Sequence, residues 1–252
     1  MTSLADPAVL DALDDALVGR RRELELLVAA LAADRHVLLE GPPGTGKSTM
    51  LRAVADAAGT GFVFVEGNAE LTPARLAGQF DPSRVLEEGY TPEVFVDGPL
   101  VEALRAGSLL YVEELNRVPE ETVNLLISVM SEGELTLPRV GKVAAADGFR
   151  LVAAMNPFDN IGTARVSGAV YDRMCRIAMA YQSLAEEADI VTRRAGEADE
   201  ALHRRAVAVT RATRSHPDLR VGSSVRGAID LVEVAQRLAT IRGAHPDDVG
   251  VG

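Results

Sequence analysis

Residues 36–49 read HVLLEGPPGTGKST, and this stretch decides the fold. The apolar run over 36–40 predicts a short buried strand, and a glycine-rich turn follows it over 41–48. This turn fits the pattern G-x-x-x-x-G-K-[ST], in which backbone N–H groups surround a phosphate chain at the start of a helix. A helix is predicted from about Ser48 to Ala58, so the stretch predicts a strand, a phosphate loop and a helix in succession.

Four further apolar runs predict strands over 62–66, 109–113, 149–156 and 173–181. Helical patterns over about 20–33 and 119–133 separate them, the second with Pro119 in its first turn and Gly133 past its end. Residues 67–108 read as irregular with helical pieces, and 135–147 read as a hairpin that turns near Gly141. Strands that are nearly all apolar and alternate with helices predict an α/β fold, with a parallel five-stranded P-loop sheet flanked by helices.

Strand signals are absent after about Ser183, where helical patterns cover roughly 183–196, 199–215 and 224–242. We therefore predict a nucleotide-binding core over 1–182 and a smaller, all-helical lid domain over 183–252. The final residues, AHPDDVGVG, resemble the start of another helix, so we expect the lid to be incomplete at its C-terminus.

Composition narrows the class of protein. The net charge is −11, and residues 1–182 carry 16 basic and 26 acidic side chains, which disfavours nucleic acid as a partner. The sequence contains no apolar span of membrane length and no signal-peptide pattern, so we expect a cytoplasmic protein. The single cysteine, Cys175, lies in an apolar run and is expected to be buried.

Two adjacent acids, Glu113 and Glu114, end the predicted strand LLYVE and begin the turn after it. Buried carboxylates are costly unless a cation or a proton-transfer task holds them, and the alternative is a solvated strand end. Beside a phosphate loop, the first reading is favoured: Glu113 lies on the metal side and Glu114 is the base that orients the attacking water. The expected cofactor is therefore Mg²⁺ bound to a nucleotide.

Within the loop, Lys47 is expected to bridge the terminal phosphates, and Ser48 to ligate magnesium. The residues expected to surround the nucleotide here are Gly41, Pro42, Pro43, Gly44, Thr45, Gly46, Lys47, Ser48 and Thr49.

The loop, LLYVEELNR (109–117), VAAMNP (152–157) and GSSVRGAIDL (222–231) together resemble the AAA+ ATPases, and within them the MoxR group. The order of 98–117 followed by 154–174 is the more specific part of the resemblance. It implies that Val18 and Gly19 lie near the adenine and that Asn156 is a polar sensor that places the attacking water. It also implies that Arg226 contacts the nucleotide from the lid.

The resemblance further implies an arginine finger at Arg173 that reaches a neighbouring subunit, with Arg176 as the alternative, and a role for Arg117 across the interface. A hexameric ring and a protein partner with a von Willebrand factor A domain are implied as well. The segments around 75–105 and 135–147 correspond to insertions that face substrate or pore.

One residue departs from the pattern, because Glu113 stands where the family has Asp. The interpretation is a MoxR-type AAA+ ATPase that hydrolyses Mg-ATP at subunit interfaces to remodel or activate a partner protein, as in metalloenzyme maturation. A nucleotide-gated binding scaffold with negligible turnover is the alternative from another class, and a nucleic-acid motor is disfavoured by the charge. ATP is not distinguished from GTP by any side chain in the sequence.

Overall fold

The computed structural model describes residues 7–157, 166–196, 199–219 and 221–243. Their contacts divide the chain into two compact units. The first holds the described residues up to Leu13, with Arg21–Pro42 and Lys47–Met179; the second holds Asp14–Arg20, Pro43–Gly46 and the described residues from Ala180 onward. Each unit has its own buried apolar core.

The strands of the described residues all lie in the first unit. They are β1 (His36–Glu40), β2 (Phe62–Glu66), β3 (Gly78–Phe80), β4 (Phe95–Asp97), β5 (Leu109–Glu113), β6 (Glu134–Leu137), β7 (Gly141–Ala144), β8 (Arg150–Met155) and β9 (Met174–Ala178).

Five of these strands form a parallel sheet in the order β2-β5-β8-β1-β9. The inner strands β5, β8 and β1 are buried along nearly their whole length, which explains their continuous apolar runs. All five predicted strands are present, three of them with the predicted bounds. The carboxyl ends of β1, β5 and β8 share one edge of the sheet, and this edge positions the residues that follow each strand.

The helices are α1 (Pro7–Ala16), α2 (Arg21–Ala32), α3 (Lys47–Ala58), α4 (Pro73–Ala77), α5 (Pro82–Glu88), α6 (Pro99–Ala106), α7 (Glu120–Glu132), α8 (Gly168–Arg173), α9 (Leu184–Arg194), α10 (Glu200–Thr213) and α11 (Val225–Arg242). The predicted fold, a five-stranded parallel P-loop sheet with flanking helices followed by a helical region, is confirmed. Helix α7 begins after Pro119 and ends at Gly133, whose φ of 65° places it in the left-handed region that glycine favours.

The second unit packs α9, α10 and α11 around a small apolar core. The carboxylate of Glu187 is almost fully buried there and is neutralised by Arg211 at 2.8 Å and Arg214 at 2.7 Å. Arg214 also donates from Nε to the carbonyl of Ser223, at 2.7 Å. This buried ionic group therefore fixes the turn that leads into α11.

Four features differ from the sequence-based expectations. Helix α1 was not predicted, and the segment 67–108 contains an antiparallel pair, β3 with β4, in addition to its helices. The predicted hairpin is confirmed as β6 with β7, but Gly141 begins the second strand and the turn precedes it. The expectation that Cys175 is buried is wrong: the residue is exposed, because β9 lies at the edge of the sheet formed by the described residues.

We predict that His36 makes the stability of the fold depend on pH. Its Nδ1 accepts a hydrogen bond from the Leu151 N–H at 2.9 Å, and burial lowers its pKa from the ordinary value of 6.5. The unfolded chain then takes up the proton first as the pH falls, so stability is present above about pH 6.5 and is lost below it. Urea unfolding between about pH 7.5 and pH 5.5 should show a shallower loss for His36→Asn than for the wild type.

The exposed His216 provides the matched control, because its Nδ1 makes only a local bond to the Asp218 N–H. His216→Asn should keep the wild-type pH dependence. Equal slopes for the wild type and His36→Asn would contradict the assignment.

Candidate functional site

The phosphate loop joins β1 to α3. The N–H of Gly41 donates to the carbonyl of Met155 at 3.1 Å, and a Cβ at this position would lie 2.2 Å from the carbonyl oxygen of Met179. Gly41 therefore has no room for a side chain. Gly44 and Gly46 have φ values of 70° and 85°, so both need the left-handed conformation that glycine adopts without strain.

Lys47 is the first residue of α3 and is only 8% exposed. Its ammonium group donates to the carbonyls of Gly41 at 2.9 Å and Pro42 at 2.8 Å. The positive charge is therefore held against the loop, at the start of a helix. Thr45 is fully buried, whereas Thr49 points its side chain towards solvent from the first turn of α3.

Three side-chain oxygens converge where α3 faces the end of β5. Ser48 Oγ donates to Glu113 Oε1 at 2.9 Å, and the Tyr111 hydroxyl lies 3.3 Å from the same carboxylate oxygen and 3.2 Å from Ser48 Oγ. Tyr111 is fully buried, and this burial raises the pKa of its phenol well above the usual value of 10. The sequence analysis predicted Ser48 and Glu113 as neighbours but missed Tyr111, although its spacing of two from Glu113 places both on one face of the strand.

This donor set fits a small hard cation. Magnesium prefers oxygen ligands and is usually held by one or two protein groups together with substrate phosphates. No group of three or more His, Cys, Asp or Glu side chains in the described residues could hold a metal by itself. Ser48 and Glu113 would therefore hold Mg²⁺ together with the phosphates of a bound nucleotide.

Glu114 lies in the left-handed region, with φ 53° and ψ 45°, which is uncommon for a residue other than glycine. Its carboxylate pairs with Arg117 Nε at 3.2 Å, and both side chains are about 40% exposed. The N–H of Gly67 donates to the Glu113 carbonyl at 2.8 Å. A Cβ on Gly67 would lie 2.6 Å from the carbonyl oxygens of both acids, so the turn that presents them requires a glycine here.

Asn156 directly follows β8, at the same edge of the sheet as the acid pair. Asn116 is buried and donates from Nδ2 to the Asn156 carbonyl at 3.2 Å. This contact ties the turn after the acids to the turn after β8. The pattern LLYVEELNR did not predict a role for Asn116.

In the second unit, Gly19 has a φ of 66°, and a Cβ there would lie 2.4 Å from the carboxyl carbon of Glu186. Val18 beside it is partly buried. The next residue, Arg20, is buried and donates from Nε to the Thr45 carbonyl at 3.0 Å and from Nη2 to the Ala180 carbonyl at 2.8 Å. Arg20 therefore connects the Val18–Gly19 segment to the phosphate loop, a role that the sequence analysis missed.

Arg226 lies in the first turn of α11, with its side chain exposed. The residue that caps this helix, Ser224, packs against the loop: a Cβ on Gly44 would lie 2.2 Å from Ser224 Oγ. The start of α11 therefore lies beside Gly44, and Ser224 precedes Arg226 by two residues.

The other arginines of interest have partners within the chain. Arg173 donates from Nε to Ser131 Oγ at 2.6 Å and from Nη1 to the Ala169 carbonyl at 3.1 Å. Arg176 forms an ion pair with the buried carboxylate of Glu40. The hydrogen bonds of Arg173 therefore hold it on α7 and α8, away from the Ser48–Glu113 pair.

Comparison with protein families matches residues 36–174, more than half of the chain, to the AAA domain, dynein-related subfamily. The fold and the loop place this protein in the P-loop nucleotide-binding class. The chain belongs to the AAA domain family. No helix of the described residues is long and apolar enough to cross a bilayer.

Relatives and solved structures extend this result. The chain is 29% identical to YeaC of Bacillus subtilis, described as uncharacterized, over 92% of this chain and 79% of YeaC. It is 33% identical to an uncharacterized Staphylococcus haemolyticus protein, over 59% of this chain and little more than half (56%) of that protein.

Two solved structures share the fold at low identity. One is from Cytophaga hutchinsonii and is provisionally described as an ATPase (TM-score 0.61, 20% identity, 94% of this chain and 80% of that one). The other is RuvB from Thermotoga maritima, described as a Holliday junction branch migration motor (TM-score 0.59, 21% identity, 91% of this chain and 66% of that one).

We predict that Gly67→Ala lowers the free energy of unfolding by about 1–3 kcal/mol, because the added methyl group must displace the backbone at Glu113 and Glu114. Gly168→Ala is the matched control, since a Cβ there meets no atom within 4 Å. Urea unfolding of both variants measures the difference. A Gly67→Ala protein as stable as Gly168→Ala would show that the acid turn does not depend on the close approach of Gly67.

Proposed function

We propose that this protein is a MoxR-type AAA+ ATPase that binds and hydrolyses Mg-ATP at subunit interfaces and uses the cycle to remodel or activate a partner protein. The observation that carries the proposal is the Ser48 hydroxyl donating to Glu113 beside a lysine held in a phosphate loop. A serine hydroxyl that donates its hydrogen bond to a carboxylate keeps its oxygen lone pairs for a cation.

The proposed chemistry follows from the positions of these side chains. Lys47 and the loop N–H groups bind the phosphates, and bound Mg²⁺ supplies charge neutralisation at the transferred phosphoryl group. Glu114 accepts the proton of the attacking water, which Asn156 helps to place. In the free subunit Glu114 is paired with Arg117. The carboxylate must therefore leave this ion pair, or contact the water while still paired, before it can act as the base.

Assembly is part of the proposal. An arginine supplied by a neighbouring subunit stabilises charge that develops on the transferred phosphoryl group, and Arg173 is the candidate, with Arg176 as its alternative. We propose a homo-oligomeric ring, most simply a hexamer, in the cytoplasm. Val18, Gly19 and Arg226 are also proposed to contact the nucleotide.

The partner-facing surface is proposed to lie on the insertions. The guanidinium of Arg139, in the β6–β7 turn, lies 4.3 Å from the ring centre of Tyr90, and Tyr90 packs edge-on against Phe80 of β3. The two insertions therefore meet. Leu86 on α5, within the first of these insertions, is 88% exposed and is proposed as part of the surface for a protein partner, for which a von Willebrand factor A domain is the proposed type.

A nucleotide-gated scaffold with negligible turnover is the second candidate. The glutamate at 113, where the MoxR resemblance implies Asp, and the pairing of Glu114 with Arg117 favour it. The similarity to RuvB concerns the fold alone. The excess of acidic side chains in residues 1–182 argues against a nucleic-acid motor.

Binding and turnover separate these candidates. Lys47→Ala should weaken ATP affinity at least roughly tenfold in calorimetry, because it removes a charged donor to phosphate. Lys142→Ala is the matched control: Lys142 is the other lysine of the sequence and pairs with Glu134 at the surface. Glu114→Gln should retain ATP but reduce phosphate release ~10²-fold or more.

A wild type that binds ATP without releasing phosphate, alone or assembled, would favour the scaffold. Loss of hydrolysis in Glu113→Gln but not in Glu114→Gln would reverse the assignment of the two acids.

Arg173→Ala should leave ATP binding intact and lower hydrolysis by ~10³-fold where subunits assemble. Ser131→Ala is the control, because it removes the same hydrogen bond but keeps the guanidinium. Mixing Arg173→Ala with Glu114→Gln subunits should restore part of the phosphate release. The Glu114→Gln subunit supplies Arg173, and the Arg173→Ala subunit supplies the Glu114 carboxylate. No recovery at any mixing ratio would argue against action between subunits.

A further inference from the structure

We propose that Tyr111 is a positioning residue of the metal side of the site: its hydroxyl orients the carboxylate of Glu113, a glutamate with one more rotatable bond than an aspartate, before the nucleotide binds. The proposal rests on the proposed function, because it assigns a role in holding Mg²⁺ with nucleotide. Its evidence lies in the contacts of Tyr111 within the first unit.

The phenol is held rigidly. Tyr111 is fully buried in β5, and its ring packs against Phe62 and Phe64 of β2, with ring centres 6.0 Å and 5.8 Å away. Phe64 is also its partner in the strand register. A fully buried ring packed against two aromatic side chains leaves the hydroxyl little freedom, so its oxygen is a fixed point in the cluster.

The hydroxyl contacts the two residues that are expected to hold the metal. It lies 3.3 Å from Glu113 Oε1 and 3.2 Å from Ser48 Oγ. Ser48 also donates to Oε1, at 2.9 Å. Both donors therefore reach the same carboxylate oxygen, and in the described part of the chain no hydrogen bond reaches Oε2. This arrangement leaves Oε2 without a protein donor in the described residues.

A glutamate needs such a contact more than an aspartate does. Its extra methylene adds a rotatable bond, and restricting that bond costs conformational entropy. Magnesium tolerates little deviation from octahedral geometry, so a loosely held carboxylate is a poor partner for its ligands or its water shell. A hydroxyl fixed by a buried ring removes this freedom before the nucleotide binds.

The test compares metal binding in two backgrounds. Mn²⁺ is titrated into the ADP complex and measured by electron paramagnetic resonance, and ADP binding in EDTA is measured by calorimetry. Tyr111→Phe keeps the ring and removes the hydroxyl, so Mn²⁺ affinity should fall about 3–10-fold. ADP affinity in EDTA should change less than about twofold, because the hydroxyl bonds to the metal-side oxygens and donates nothing to the phosphates.

The second background is Glu113→Asp. The shorter side chain withdraws the carboxylate from the phenol, so Tyr111→Phe should then change Mn²⁺ affinity by less than about twofold. Tyr90→Phe, on the exposed insertion, should have no effect in either background. An equal loss in the wild-type and Glu113→Asp backgrounds would overturn the proposal, as would no loss in either.

The outcome also separates this proposal from the proposed function. If the wild type binds neither ADP nor Mn²⁺ with ADP, the proposed function fails. If the wild type binds both and Tyr111→Phe binds both with the same affinities, only the role of Tyr111 fails. If Tyr111→Phe does not fold, the ultraviolet difference spectrum on Mn²⁺ addition to the ADP complex is recorded instead for the wild type and for Glu113→Asp. A tyrosine band in the wild type that is absent from Glu113→Asp supports the proposal. The same band in both proteins overturns it.

Discussion

The hydrogen bond from Ser48 Oγ to Glu113 Oε1 is the contact on which the rest of the site depends. It joins the first turn of α3 to the end of β5, across 65 residues of sequence, at 2.9 Å. A carboxylate at the end of a buried strand needs donors or a cation, because an unpaired one is costly to bury. The parallel sheet meets this requirement, since its order places β5 two strands from β1 and aligns their carboxyl ends.

Small residues and buried polar groups hold this arrangement in place. Gly67 lets the backbone approach the carbonyls of both acids, and Asn116 fixes the turn after β8. In the second unit, Arg20 binds the Thr45 carbonyl and Ser224 packs on Gly44, so the middle of the loop is contacted by residues distant in sequence. The loop geometry is therefore determined by tertiary contacts as well as by its own glycines.

Much of the fold was predictable because the inner strands are buried on both faces and read as unbroken apolar runs. The bounds of β1 and β5 were predicted to the residue for this reason, and those of the edge strand β2 because its residues favour strands. Cys175 was mispredicted because an apolar run does not reveal which strand lies at the edge of the sheet. The pair β3–β4 was missed because its three-residue strands are too short to show a period. Gly67 and Arg20 could not be assigned from spacing alone, since their partners lie on other elements, whereas the spacing of two between Tyr111 and Glu113 was a usable signal. The predicted domain boundary near 182 and the roles of the site residues stay predictions.

The most direct test is the position of the metal itself. Crystals grown with a non-hydrolysable ATP analogue and Mn²⁺ would locate the ion by its anomalous signal. The account predicts a single metal peak in direct contact with Ser48 Oγ and a terminal phosphate oxygen, with the Glu113 carboxylate facing it. A nucleotide whose metal lies elsewhere, with Ser48 still bonded only to protein groups, would contradict it.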